Sequence, residues 1–89
     1  MEYVKNLNGT AGKKCTCPGS NSWLKHWERK AHQHATQCAA CTRKAEIGGH
    51  VKKVGQECTH YIVPLRKACN MRTDDFTVFA ELVDVYCDR

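Results

Sequence analysis

The sequence predicts a small α+β domain, one unit over residues 1–89, with one amphipathic helix, short β-hairpins and a C-terminal strand. Two patterns predict this fold class. Apolar residues recur at steps of three and four in one segment, whereas β-branched and aromatic residues gather in short runs elsewhere. A chain of this length buries only a modest core, so its seven cysteines are expected to add stability through bound metal or cross-links.

The start of the chain predicts a hairpin and a location. Asn8-Gly9 is the strongest short signal for a tight hairpin turn, and it leads to Cys15 and Cys17. The first fourteen residues contain no apolar stretch or cleavage pattern of a secretion signal, and no segment approaches the roughly 20 apolar residues that cross a bilayer. We therefore expect a cytoplasmic protein without membrane insertion, whose clustered cysteines bind metal rather than form disulfides.

An amphipathic helix is predicted after these cysteines. Pro18-Gly19 breaks any preceding strand, and Ser22 is placed to cap a helix that begins at Trp23. Apolar positions that include Trp23 and Trp27 recur at helical spacing to about Gln37, which corresponds to about four turns. Both tryptophans are interpreted as packing residues rather than as ligands, because two such large side chains supply much of a small core.

Three short β-rich runs follow the helix. The first two are interpreted as separate strands divided by Gly48-Gly49, and Pro64 is expected to end ladder pairing in the third because it has no amide hydrogen. A short helical segment from Arg66 to Arg72 comes next, and the tail from Phe76 to Cys87 favours one or two final strands. The three runs are Arg43–Ile47, His50–Val54 and His60–Leu65.

Cys38 and Cys41 form the most informative motif of the sequence. Two residues between the cysteines let a tight turn direct both sulfurs at one tetrahedral ion, which is the spacing of a zinc knuckle. Such a CxxC is only half a site, and it needs two further donors. The candidates are Cys15 and Cys17 upstream and His50, Cys58, His60 and Cys69 downstream.

The order of elements after this knuckle carries a resemblance. From Cys38 to Asn70 the chain runs through the CxxC, a hairpin that contains GGHV, and the stretch YIVPLRKACN that opens a helix. This order resembles the HNH-like branch of the treble-clef zinc-finger superfamily, which ends in a stretch like NLVPLCxxCH. It also resembles small bacterial proteins that share an early CxC, a helix like SWLKHWE, GxHV and YIVPLCxxCN. The resemblance implies a zinc-bound treble-clef domain over nearly the whole chain.

The resemblance also assigns roles to single residues. His50 falls at the general-base histidine of an HNH nuclease, and Asn70 falls at the last metal-binding position. Two departures weaken the nuclease interpretation. Tyr61 stands where an asparagine orients the catalytic histidine, and Arg66 stands where the family has a cysteine ligand. We therefore predict a zinc-stabilised binding module without catalytic activity, and a metal-dependent HNH-type nuclease with His50 as general base is the alternative.

The predicted zinc ligands are three cysteines and one histidine. They are Cys38, Cys41, Cys69 and His50. Because Arg66 cannot ligate a metal, a residue from elsewhere must complete the site or leave one position open. Cys58 and His60 are the next candidates for this fourth ligand after His50.

A second metal site is a further interpretation of the remaining cysteines. Cys15 and Cys17 are separated by one residue and precede a tight turn, and His26 and Cys87 would complete a set of four ligands. The proteins that the chain resembles also combine an early CxC with a late cysteine. From spacing alone, a disulfide or unpaired thiols explain these cysteines equally well.

The charge of the chain indicates the kind of partner. Fourteen Lys and Arg residues against nine Asp and Glu residues give a net charge of +5, which attracts nucleic-acid phosphates or an acidic protein. The residues predicted to contact nucleic acid are Lys52, Lys53, Arg66 and Lys67. Charges this dispersed are equally compatible with a solvated surface that keeps the protein in solution.

Overall fold

The fold is an antiparallel sheet with a helix packed on one face. The computed structural model of the protein describes residues 2–7, 22–55 and 60–85. Its elements are β1 (Glu2–Asn6), α1 (Trp23–Ala31), β2 (Ile47–Lys53), β3 (Tyr61–Leu65), α2 (Lys67–Asn70), β4 (Asp75–Val78) and β5 (Val83–Asp84). The strands lie in the order β4-β1-β2-β3-β5. The predicted α+β class is therefore confirmed, whereas the predicted hairpin at Asn8-Gly9 lies outside the described residues.

α1 begins where the sequence predicts. The Ser22 Oγ accepts a hydrogen bond from the Lys25 amide at 3.2 Å, which satisfies one of the free amides at the helix N-terminus. Trp27 is only 3% exposed, and its indole N–H donates to the Glu81 carbonyl at 2.7 Å. The predicted packing role of Trp27 is therefore confirmed. Neither α1 nor the shorter α2 is long and apolar enough to cross a membrane.

The same helix ends earlier than the sequence predicts. It stops at Ala31 rather than near Gln37, because His32 adopts a left-handed conformation with φ of 56°. The Ala35 amide then donates to the Glu28 carboxylate at 2.8 Å, whereas in a longer helix it would donate to the Ala31 carbonyl. A side chain of the helix thus captures the amide that continued helix formation would need.

β2 runs straight through Gly48 and Gly49, so the prediction of two separate strands at this point is wrong. A Cβ atom at Gly48 would lie 2.6 Å from the backbone nitrogen of Leu24, in the first turn of α1. A Cβ atom at Gly49 would lie 2.7 Å from the Asn70 Oδ1 on the opposite side of the strand. The two glycines therefore allow close packing on both faces of β2 rather than a turn.

The two faces of the sheet bury different sets of residues. We call the face that α1 covers the helix face, and the opposite face the cysteine face. The apolar residues that pack together on the helix face are Trp27, Ala31, Ile62 and Val83. Those of the cysteine face are Val4, Cys38, Ala39, Val51, Val63, Leu65, Phe76 and Val78. Successive side chains of each strand point to opposite faces, so each strand contributes side chains to both faces in alternation.

Pro64 does not end the pairing of β3, as the sequence predicts it should. It lies inside the strand, opposite Gly48 of β2. Its carbonyl accepts a hydrogen bond from the Ala39 amide at 2.7 Å, so its backbone polar group points away from β2. The missing amide hydrogen of the proline therefore removes no hydrogen bond between β2 and β3.

Candidate metal centre

Cys38 and Cys41 lie in a narrow turn between α1 and β2. The Cys38 amide donates to the Arg43 carbonyl at 2.8 Å, and Gln37 forms an isolated β-bridge with Lys44. The predicted strand at 43–47 is therefore wrong for most of its length, because these residues form one side of the cysteine turn. The turn is closed at its base and brings its two thiols close together.

Backbone hydrogen bonds fasten this turn to the sheet. The Ala39 amide donates to the Pro64 carbonyl at 2.7 Å, and the Ala39 carbonyl accepts from the Phe79 amide at 2.9 Å. Ala39 is itself only 4% exposed, so its small side chain lets the turn lie directly on the cysteine face. The turn is thus connected both to β3 and to the residue that follows β4.

Cys69 reaches the same place from α2. The Asn70 amide donates to the Arg66 carbonyl at 2.9 Å, which closes the helical turn around Cys69. At the start of that turn, the Lys67 amide donates to the Glu46 carboxylate at 3.0 Å. α2 is therefore attached at its N-terminus to the segment that leads from the cysteine turn into β2.

Asn6 holds the other end of α2 against the sheet, a role that the sequence motifs do not predict. Its Nδ2 donates to the Cys69 carbonyl at 2.9 Å and to the Arg72 carbonyl at 3.1 Å. The residue is 5% exposed and lies two positions after Val4, on the cysteine face of β1. An asparagine at an apolar position of a strand was the available signal, because a buried amide needs polar partners.

The sulfur atoms of Cys38, Cys41 and Cys69 lie within 4.8 Å of one another. Cys38 is buried and the other two are partly buried, and all three are free thiols. Sulfurs bound to a tetrahedral zinc ion, with bonds of about 2.3 Å, are about 3.8 Å apart. A contraction of at most about an ångström would therefore seat an ion, and the three cysteines form a group that could hold a metal.

The three thiols change one another's acidity. Burial, followed by interactions with Cys38 and Cys41, raises the pKa of the Cys69 thiol to about 12. The pKa of Cys41 is lowered, chiefly by a hydrogen bond from the Arg43 backbone, which outweighs the opposing effect of burial. Without metal, Cys69 therefore keeps its proton at neutral pH. Metal ligation must displace that proton, so metal affinity should rise with pH.

Arg66 lies beside the cysteine group. It precedes α2 and stands three residues before Cys69, and its side chain is close enough to the Cys41 thiol to help lower the pKa of that thiol. A guanidinium has five N–H donors and no lone pair, so it cannot bind a metal ion. It contributes a fixed positive charge next to the sulfurs.

His50, the predicted fourth ligand, is not a member of the cysteine group. It is 7% exposed on the helix face, where its ring packs edge-on against Trp23 with the ring centres 4.5 Å apart. Asn70 approaches Gly49 on the cysteine face instead. Because adjacent strand residues point to opposite sides, the backbone of β2 separates His50 from Asn70.

The predicted second metal site lies mostly outside the described residues. Its three cysteines, Cys15, Cys17 and Cys87, are outside them. Cys58, an alternative fourth ligand of the first site, is also outside them. His26 is completely buried on α1, and its Nε2 is 2.8 Å from the Asp84 carbonyl oxygen. A ring nitrogen in that contact carries a proton and cannot bind metal while the bond persists. His60, the remaining alternative ligand, is exposed just before β3.

The four basic residues predicted to contact nucleic acid do not share one face. Lys52 and Lys53 are neighbours on β2, so their side chains leave the strand on opposite faces. The Lys53 Nζ lies 3.8 Å from the Glu2 carboxylate, with which it forms a salt bridge. Arg66 and Lys67, in contrast, both belong to the start of α2, beside the cysteine group. Only this second pair adjoins the candidate metal centre.

The fold and the site define a class of protein: a small α+β domain in which an antiparallel sheet supports a group of three cysteines. Comparison of this chain with protein-family models, with curated proteins and with solved structures gives no match. The geometry of the cysteine group is therefore the main evidence that bears on function.

Proposed function

We propose that this protein is a zinc-stabilised binding module without catalytic activity, built on a treble-clef, HNH-like arrangement. The convergence of three thiols from two separate turns carries the proposal. Thiolate ligands favour zinc and other thiophilic ions over magnesium or calcium. The succession of cysteine turn, paired β2 and β3, and cysteine-bearing α2 is the order of elements in a treble clef, and it supports this architecture.

The proposed role of the ion is to hold the cover of the cysteine face in place. That cover consists of the cysteine turn and of α2, which has four residues. Helices this short are not stable by themselves in water, so packing and cross-connections must supply the stability. An ion bound by Cys38, Cys41 and Cys69 would join the two parts of the cover directly.

Metal content of the intact protein tests the zinc site. We expect native mass spectrometry of protein purified with zinc to show a bound ion on this group, and Cys38→Ser, Cys41→Ser and Cys69→Ser each to weaken that binding strongly. His34→Ala is the control, because its side chain is 95% exposed and it is not a member of the cysteine group. Unchanged metal content in all three serine variants would contradict the proposal.

The proposed partner is an acidic molecule, either a nucleic acid or an acidic protein. The net charge of +5 supports attraction to such a partner. Arg66 and Lys67 place two of these charges at the edge of the candidate metal centre, so the same part of the surface would serve both structure and binding. Lys52 and Lys53 would contribute less to one contact, because they point to opposite faces of β2.

Titration of fluorescently labelled DNA and RNA at two salt concentrations tests the nucleic-acid form of this proposal. Binding through phosphate contacts should weaken as salt increases, and the double variant Arg66→Ala, Lys67→Ala should lower both the affinity and the salt dependence. Lys53→Ala is the matched control, because its ammonium group is already paired with Glu2. Absence of binding to either nucleic acid would leave the acidic protein as the proposed partner.

The nuclease alternative receives less support from the positions of its two key residues. His50 faces α1 and Asn70 lies on the other side of β2, so the general base is separated from the position next to the metal. We therefore expect no cleavage of plasmid DNA with magnesium, manganese or nickel. Cleavage that persists through purification and is abolished by His50→Ala would establish the nuclease instead.

A further inference from the structure

A tetrahedral zinc ion takes four ligands, whereas the candidate metal centre supplies three sulfurs. The cysteine turn supplies Cys38 and Cys41, which are three residues apart, and the turn of α2 supplies Arg66 and Cys69 with the same separation. The positive charge of Arg66 lies near the Cys41 thiol and helps to lower its pKa. A cation thus stands at the sequence position where the spacing of Cys38 and Cys41, repeated before Cys69, would place a fourth cysteine.

The charge balance of the site changes with this replacement. A zinc ion with four thiolates carries a net charge of −2, whereas an ion with three thiolates and an adjacent guanidinium is neutral in sum. No other metal-binding side chain within residues 2–7, 22–55 and 60–85 joins the three sulfurs. Zinc sites with three protein ligands keep a fourth position that an external ligand can occupy.

We propose that this fourth position binds a carboxylate, which the ion and the Arg66 guanidinium hold together. The inference rests on the proposed zinc site. Carboxylate oxygens are regular zinc ligands, and the planar guanidinium matches the two oxygens of a carboxylate with two parallel hydrogen bonds. A phosphodiester is a weaker match, because phosphate oxygens suit harder ions such as magnesium. The ligand is either a small carboxylic acid or an acidic side chain of a partner protein.

Cobalt in place of zinc makes the fourth ligand visible in solution. Cobalt–thiolate charge-transfer absorption reports the number of bound sulfurs, and the ligand-field bands report the remaining ligand. We expect the wild-type protein to give a three-sulfur spectrum whose ligand-field bands shift saturably on titration with acetate. A short peptide with one glutamate, compared with its glutamine counterpart, distinguishes an acidic side chain from a free carboxylic acid as the ligand.

Two substitutions of Arg66 separate its charge from its shape. Arg66→Cys should restore a four-sulfur spectrum that no longer responds to acetate. Arg66→Lys keeps the positive charge but loses the paired hydrogen bonds, so it should weaken acetate binding on the order of tenfold. Lys67→Cys is the control, because it introduces a thiol one residue after position 66. It should retain both the three-sulfur spectrum and the response to acetate.

The outcomes distinguish this inference from the zinc site on which it rests. If neither cobalt nor zinc binds, the proposed zinc site itself fails. If cobalt binds but the wild type shows four sulfurs, or ignores acetate, an internal residue fills the fourth position and the carboxylate proposal is overturned. His50→Ala, Cys58→Ser and His60→Ala then identify that residue by the change in spectrum. A response to dimethyl phosphate without one to acetate would also overturn it.

Discussion

The helix face and the cysteine face of the same sheet are closed in different ways. On the helix face, four buried apolar residues of the described chain pack together. Trp27 and Ala31 belong to α1, a regular helix of nine residues, and Ile62 and Val83 belong to the sheet. On the cysteine face, eight such residues pack together. Six belong to the sheet, and Cys38 and Ala39 belong to the cysteine turn, which covers this face together with the four-residue α2. The larger apolar set thus has the less regular cover.

The covers of the two faces therefore depend on different forces. α1 satisfies most of its own backbone groups and lies on the sheet through a stripe of apolar side chains. The cover of the cysteine face consists mainly of turns, which bury few large side chains and depend on cross-connections between distant residues. Changes at the metal centre should therefore act first on the cysteine face, and changes in α1 should leave metal binding intact.

The largest expected effect is that of removing the metal. Structural zinc contributes on the order of 10 kcal/mol to small domains, which is comparable with the whole stability of a typical domain. We expect exhaustive chelation, or Cys69→Ser, to unfold the protein or to abolish its cooperative thermal transition in circular dichroism. An unchanged transition after chelation would show that apolar packing alone closes the cysteine face.

Trp27→Ala should cause the next largest effect, and on the other face. Removal of this buried ring should lower the free energy of unfolding by about 3–5 kcal/mol, because the cavity lies under α1 and the hydrogen bond to the Glu81 carbonyl is lost. Chemical denaturation of the zinc-loaded protein measures this change. Zinc stoichiometry should be unaffected wherever the variant folds. Phe79→Ala is the control, since that ring is 73% exposed and should cost little.

Gly48→Ala and Gly49→Ala compare the two faces one residue apart. The methyl group at 48 would meet the backbone of Trp23 and Leu24, and the one at 49 would meet the side chains of Leu65 and Asn70. Each substitution should lower the free energy of unfolding by about 1–3 kcal/mol. Gly48→Ala should have the larger effect, because the backbone of α1 cannot move away as a side chain can. Zinc affinity should fall with Gly49→Ala only. Equal loss of affinity in both variants would show that the faces are coupled.

Asn6→Leu should have the smallest effect of the four. It removes the two hydrogen bonds to the carbonyls of Cys69 and Arg72 while keeping a side chain of similar size. The loss of a donor for the two carbonyls should lower the free energy of unfolding by about 1–2 kcal/mol. Zinc affinity should fall as well, because Cys69 is held less firmly. Competition with a chelator measures the affinity. A loss of stability with no loss of affinity would restrict Asn6 to a packing role.

The sequence predicts much of this fold and the centre of the site. The α+β class, the start of α1, the third β-run, the short α2 and the final strands all follow from local patterns that the structure confirms. The zinc knuckle spacing and the position of Cys69 likewise direct attention to three residues that the structure brings together. These features depend on residues close in sequence or on one well-defined spacing.

The features that the sequence misses depend on contacts between distant segments. Gly48-Gly49 looks like a break in a strand until α1 and Asn70 are known to press on it from both sides. The helix ends at Ala31 because Glu28 captures an amide beyond it, which apolar periodicity does not reveal. His50 follows Gly49, which lies on the cysteine face, but its own side chain points to the helix face. Which of the two residues faces the metal centre depends on the register of β2.

The hydrogen bonds of Asn6 have a consequence for the order of folding. They join residues that are 63 and 66 positions apart, and β1 must also wait for its partner β4. At roughly 5–20 residues per second, the ribosome needs roughly 3–13 seconds to deliver those partners. Once β2 has been made and before β4 arrives, one edge of β1 is unpaired and the cysteine turn offers two sulfurs. The arrival of Cys69 would complete the group of three sulfurs, and β4, which follows it in the chain, would then pair with the open edge of β1.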